Sequence, residues 1–256
     1  MIELPIIPLM AGFLAIGVRL TGLMLFAPFF SSTVIPARIK AILVFACTFL
    51  LYPVIAKDFV PPSISTLPWM ICTELLVGAS IGIATNIVFE AAQLAGQVLG
   101  IQMGYSLVNI LDPQTQVDTP VVAMFYQSIV LLLFLNMDVH YWLLYSFGNS
   151  YRYVPPGTVH IGTVFTWTVL KIVGQIFALG VQIAAPVLAA TIAADIILGF
   201  LGKASPHMPL MLLGPPVKSL LGIFILISTL RYWPDLFGRL FLGAVKNTEL
   251  LFHLAS

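Results

Sequence analysis

The sequence predicts an all-α fold: a polytopic membrane protein of long, partly broken helical hairpins with about six hydrophobic segments. Two observations carry this. Of 256 residues, 60% are hydrophobic and only 8% are charged, against about 25% charged in soluble domains. No soluble fold hides that much apolar surface. The apolar residues also come in long runs, not in alternating segments of about ten, which is the pattern of spanning helices and not of a barrel. A formal net charge of +1 gives no basis for nucleic-acid binding. Cys47 and Cys72 lie inside apolar runs and read as small buried hydrophobes, not as a disulfide or a metal site. The chain reads as one integral-membrane domain, 1–256.

In chain order, Met1-Ile2-Glu3-Leu4-Pro5 lacks a basic stretch, so the first apolar run is expected to persist in the mature protein. Ile6 to Phe26 is the first spanning segment, with Arg19 within it; a cation at that depth must snorkel or find a partner. Pro28 to Pro36 is a linker. Ala41 to Ile55 is a second run of about 15 residues, short for an upright span of ~20. Trp69 to Tyr105 keeps one helical pattern for about 37 residues, or about 55 Å at ~1.5 Å each. A hydrocarbon core is only ~30 Å thick. The helix therefore breaks near Asn86 to Glu90, or much of it stands outside the bilayer.

At ~100° per residue, this helix has a small-and-polar face made of Glu74, Gly78, Gly82, Asn86, Glu90, Gln93, Gln97, Gly100 and Gly104, joined by Gly96. The opposite side carries Leu76, Ile83, Ile87, Leu94, Val98 and Ile101. Lipid tails cannot satisfy amides and carboxylates, so the polar face is expected to meet protein or water. Gly78-x-x-x-Gly82 and Gly96-x-x-x-Gly100-x-x-x-Gly104 let two backbones approach closely. That face packs within the chain or against neighbouring subunits. The expectation adopted is the second: Gly78, Gly82, Asn86, Gln93, Gly96, Gln97, Gly100 and Gly104 as a subunit-packing face. Asn109, Asp112-Pro113 and Asp118-Thr119-Pro120 then make a polar loop.

Val121 to Leu135 is strongly apolar, and Asn136, Asp138 and His140 interrupt it. Trp142, Tyr145, Tyr151 and Tyr153 suggest an interfacial belt. Val164 to Ala194 is long, with Lys171 inside, Pro186 as a kink and Asp195 just after it. Gly202 to Pro209 is a loop, and Gly214-Pro215-Pro216 precedes the last strong run, Val217 to Leu230. Asp235 to Leu254 is amphipathic and suited to lying in the interface. Lysines and arginines do not divide clearly between alternate loops, so the positive-inside count leaves orientation open.

No HExxH, GxSxG, CxxC, Walker or glycine-rich nucleotide motif is present. Asp138 and His140 are two apart and do not face each other on a helix; they mark a helix end better than a catalytic pair. No cofactor is implied. Arg19, Glu74, Glu90, Lys171 and Asp195 are expected to be buried charges, which either pair internally or line a pathway. A small-solute secondary transporter with Glu74, Glu90 and Asp195 as ion sites is the alternative, but it needs inverted repeats, and no convincing repeat is found.

Several patches resemble the flagellar biosynthetic protein FliR family, which includes the related export-gate subunit of virulence type III secretion systems. They are Arg19 with Ala27-Pro28, Ile35 to Lys40, Ala95 to Ser106, Leu111-Asp112-Pro113, Leu131 to Leu135 with His140 and Trp142, Ala185-Pro186-Val187, Leu198-Gly199-Phe200-Leu201, Ala204-Ser205-Pro206 and Gly214-Pro215-Pro216-Val217-Lys218. After Ser205-Pro206 the family often has Gln and then Asn, where this chain has His207 and Pro209. The resemblance implies a non-enzymatic inner-membrane gate of the flagellar basal body. It joins FliP-like and FliQ-like subunits, with an FlhB-like subunit, around a closed pore for unfolded flagellar proteins. It also implies that Leu107, Val108, Asn109, Ile110, Leu111, Asp112 and Pro113 form a pore plug, and that Met103 contributes to the constriction.

Overall fold

The structure is a computed structural model that describes residues 6–28, 30–31, 35–55, 66–105, 120–155, 162–205 and 210–255. The described residues form α1 (Ile6–Phe26), α2 (Ala37–Ile55), α3 (Leu67–Gln102), α4 (Val121–Asn136), α5 (Val139–Tyr153), α6 (Thr163–Ala204), α7 (Leu210–Thr229) and α8 (Trp233–Ala255). A single 3₁₀ turn, Leu230–Tyr232, joins α7 to α8. There is no strand among them, as the composition predicts. Four stretches are long and apolar enough to cross a membrane: Ala37–Ile55, Leu67–Gln102, Phe165–Ala204 and Leu213–Phe252. The pair α4 and α5, taken as one broken span, makes five.

Contacts divide the chain into two compact units. The first is Met1–Ile87, Leu135–Gly174 and Phe241–Ser256; the second is Val88–Phe134 and Gln175–Leu240. In the first unit α1 lies against the opening half of α3, and glycines make the closeness possible. A Cβ on Gly22 would strike the Leu75 carbonyl oxygen, and one on Gly78 would strike that of Arg19. One on Gly82 would lie 2.7 Å from the Leu23 oxygen. These neighbours are backbone atoms, which cannot swing aside. Phe13 and Phe45 meet edge-on at 5.4 Å between α1 and α2. The α8 stripe Phe241, Ala244, Thr248, Leu251 and Phe252 is buried.

In the second unit the closing half of α3 meets α4 the same way: a Cβ on Gly96 would strike the Ala123 backbone. Val122, Ala123, Tyr126, Val130 and Phe134 recur at spacings of one, three and four and form the buried side of α4. Phe134 meets Phe89 at 5.5 Å, and Tyr126 meets Trp233 of α8 at 4.7 Å. Burial ranks the helices: 72% of the most apolar window of α3 is buried, against 6% for α2. α3 is thus the interior element, and α2 presents its apolar surface outward.

Of the two alternatives for α3 the structure takes the unbroken one, 36 residues without a break near Asn86, about 54 Å. Other expectations are corrected. α6 continues through Pro186 and past Asp195 to Ala204; in apolar surroundings a helix has no better place for its backbone groups, so one lost hydrogen bond does not end it. Gly214-Pro215-Pro216 lies inside α7 and not before it; the two prolines remove two intrahelical donors without ending the helix. The apolar stripe of α8 is covered by the chain itself and not laid on a lipid interface. Cys72 is also exposed and Cys47 only half-buried.

Gly78→Val is expected to destabilise the chain in detergent by at least about 1–3 kcal/mol, because two backbones must part. Gly174→Ala, in α6 with nothing within 4 Å, is expected to leave the thermal midpoint unchanged or raise it slightly. Thermal unfolding of both variants checks the contrast.

Candidate functional site

Two polar clusters stand out in an otherwise apolar chain. The first lies in the first unit and is sealed. Arg19 of α1 and Glu74 of α3 are fully buried. Arg19 Nε donates to Glu74 Oε2 at 2.6 Å and Nη2 donates to Oε1 at 3.1 Å, a two-point grip that suits a planar guanidinium. Nη1 donates to Ser150 Oγ at 2.9 Å, and Nη2 also donates to the Val154 carbonyl at 3.1 Å. The Tyr151 ring lies 4.0 Å from the guanidinium carbon, a cation–π contact. Four of the five guanidinium donors are therefore used. Arg19 does not snorkel; it ties α1, α3 and the end of α5 together.

The second cluster lies in the second unit and is partly open. Lys218 Nζ of α7 is 2.9 Å from Asp195 Oδ1 of α6, and Gln102 Nε2 donates to Asp195 Oδ2 at 2.8 Å. The Asp195 side chain is 44% exposed. Ser219 Oγ donates to the Tyr105 hydroxyl at 2.9 Å. On the same stretch of α3, Gln127 Nε2 donates to Gln93 Oε1 at 2.7 Å.

The expected site residues fare unequally. Arg19 and Glu74 are brought together, whereas Glu90, Lys171 and Asp195 are exposed on the chain's surface, which corrects their assignment as buried charges. Asp195, though exposed, is met by Lys218 of α7 and Gln102 of α3. Gly78, Gly82 and Gly96 face backbone of this same chain, so their part of the ladder is an intrachain face and not one left for a neighbour. Gly104, at φ +89°, has Pro215 against it, 2.8 Å from where a Cβ would lie. Gln97 alone of the named amides is exposed; Asn86 and Gln93 are half-covered. Met103 is 1% exposed, with its thioether beneath Gly222. In this conformation it fills the chain's own core. Leu107 to Pro113 lie outside the described residues.

Ser150, Tyr151, Val154, Lys218 and Ser219 were not anticipated. Tyr151 read as an interfacial aromatic, and Ser150 sits among polar neighbours, Asn149 and Arg152, that give no sign of a buried role. Asp138 begins α5 in a left-handed conformation, φ 56°, and marks a helix break.

The described residues thus make a helical membrane protein whose polar groups serve packing and one open patch. No group of three or more His, Cys, Asp or Glu among them is placed to hold a metal. Residues 10–244 match the family described as "Bacterial export proteins, family 1". The chain belongs to that family, whose members are export components and not enzymes. It is 27% identical to the flagellar biosynthetic protein FliR of Escherichia coli (strain K12), over 82% of this chain and 80% of that one. It is 27% identical to FliR of Pectobacterium carotovorum, over 88% and 86%, and 27% to FliR of Bacillus subtilis (strain 168), over 87% and 87%. The resemblance to the FliR family read from the motifs is therefore found along nearly the whole chain.

Arg19→Met leaves the Glu74 carboxylate buried without its cation and is expected to destabilise the chain by about 3–5 kcal/mol. Arg19→Met with Glu74→Leu is expected to recover part of that loss, since no charge is then stranded. Thermal unfolding in detergent of the two variants beside the wild type checks the order.

Proposed function

We propose that the chain is a subunit of the flagellar protein-export gate in the bacterial inner membrane. With FliP-like and FliQ-like subunits, and an FlhB-like subunit beside them, it forms a closed helical conduit for unfolded flagellar proteins. Support comes from membership in an export family and from relatives that are each named flagellar biosynthetic protein FliR.

The structural observation that carries the reading is the partly open patch of Gln102, Tyr105, Asp195, Lys218 and Ser219. A half-exposed carboxylate and its amide neighbour are poorly suited to acyl chains. They suit water or protein, as the inner side of an assembly offers. The length of α3, about 54 Å, exceeds a hydrocarbon core of ~30 Å, and fits a particle that rises out of the membrane plane. The apolar outer faces of α2, α6 and α7 then meet sister subunits or lipid.

The transporter alternative loses its first ion site, because Glu74 is closed by Arg19. In the gate, the segment Leu107 to Pro113 is the stopper, placed directly after Tyr105. A stopper held by a few kcal/mol of differential contact suits a gate that opens on demand.

Deleting residues 107–119 is expected to leave assembly intact and make the membrane leaky to small ions. Co-purification with tagged chain reads assembly, and ion flux across the membrane reads the leak. A tight membrane with normal export would remove the plug from the reading. Absence of partner subunits from the purified particle would remove the gate.

A further inference from the structure

The residues that follow α3 are seated on one face of α7. Gly104 abuts Pro215, the Tyr105 hydroxyl accepts from Ser219, and Met103 lies under Gly222. Pro215, Ser219 and Gly222 are four and three apart, so they form a single stripe one to two turns long. Each contact is of a different kind. A Cβ on Gly222 would lie 2.7 Å from Met103 Cε, so only glycine leaves room for the thioether. Gly104 takes φ +89°, a conformation that favours glycine, and turns the chain at that point. Its N–H donates to the Ile101 carbonyl and that of Tyr105 to Gly100, both at 3.0 Å, so the end of α3 is closed off.

The charged cluster locks the same joint from the side. Lys218, next to Ser219 on α7, holds Asp195 of α6, and Asp195 holds the Gln102 amide at the last residue of α3. Three helix segments thereby converge on four residues, Gln102 to Tyr105. The Asp195–Lys218 pair is only partly exposed on an apolar surface, where such a pair is screened less than one in open water.

We propose that Asp195, Lys218 and Ser219 are positioning residues of the gate. They clamp the stem at Gln102–Tyr105 and so fix the direction in which the chain leaves α3 towards the plug segment. This rests on the gate reading. It assigns the closed state's tightness to a joint outside the plug itself. Weakening the clamp lets the stem tilt and raises the open fraction without removing the plug.

The test is small-ion flux through membranes holding the full assembled gate, with co-purified partners as the measure of assembly. Asp195→Lys and Lys218→Asp each place like charges at the joint. Each is expected to raise the leak by about three- to tenfold, the scale set by one ion pair. The double variant D195K/K218D restores opposite charges and is expected to return the leak to near the wild-type level; a merely structural position would not show this rescue. Should the single variants fail to assemble, Ser219→Ala and Tyr105→Phe each remove one hydrogen bond, and a smaller rise in leak is expected. Single variants as tight as wild type, or no rescue by the double, overturn the clamp. So does an unchanged leak in Ser219→Ala and Tyr105→Phe where these are needed. The 107–119 deletion run in parallel separates the two ideas. If it leaks while the clamp variants do not, the clamp alone fails; if it stays tight, the plug reading fails and takes the clamp with it.

Discussion

The Arg19–Glu74 pair is the constraint on which the first unit depends. An apolar chain with 8% charged residues has few ways to specify which helix lies against which. Dispersion contacts between aliphatic faces are nearly interchangeable, and many registers of α1 on α3 bury similar area. A guanidinium in that setting is different. It requires partners in fixed directions, and moving it by one turn strands both charges. The Glu74 carboxylate, the Ser150 hydroxyl, the Val154 carbonyl and the Tyr151 ring supply those directions from three helix regions at once. The pair is weak evidence for stability in itself, since a good apolar substitute is often as stable. Its effect is to make one arrangement of α1, α3 and the end of α5 far better than its neighbours.

Small residues let that arrangement close. Gly22, Gly78 and Gly82 place α1 and α3 backbone to backbone, and without them the Arg19 side chain would not reach Glu74 at hydrogen-bond distance. Gly96 repeats the device against α4 in the second unit. α3 therefore spends its glycine face on its own chain. What it leaves partly open is its end, Gln102 together with Tyr105. There the second unit carries the Asp195–Lys218 pair, and there the resemblance places the start of the plug.

Much of this was legible in the residues and part was not. The all-α membrane class follows from composition, because hydropathy fixes what can be exposed. The expected bounds of α3, Trp69 to Tyr105, lie within two or three residues of the observed helix, since the turn residues after Tyr105 leave little freedom at its end. Arg19 and Glu74 stood out as charges in need of a purpose, but their pairing joins residues 55 apart, and no periodicity encodes that. The exposure of Glu90, Lys171 and Asp195 was missed because depth in a helix was read from the run around it and not from what packs on it. The Pro215-Pro216 pair of α7 was over-read as a break, and α6 was ended too early at Asp195: helix continuity in an apolar setting is decided by the lack of any other hydrogen-bond partner, which propensity alone does not weigh. The face that Gly78, Gly82 and Gly96 serve was undecidable from spacing, since the same spacing suits an intrachain neighbour and a foreign one.

Sealed pair, glycine contact and partly open end together describe a helix held firmly along its first half and presented at its far end. Hydrogen exchange of backbone amides along α3, compared between the membrane-embedded wild type and Arg19→Met, tests this most directly. The account predicts slow exchange without a gap from about residue 74 to 99 in the wild type. In the variant, protection falls across residues 74–82 while 91–99 keep theirs. Equal protection of both stretches in the two proteins, or a fast-exchanging window near Asn86 in the wild type, would contradict it.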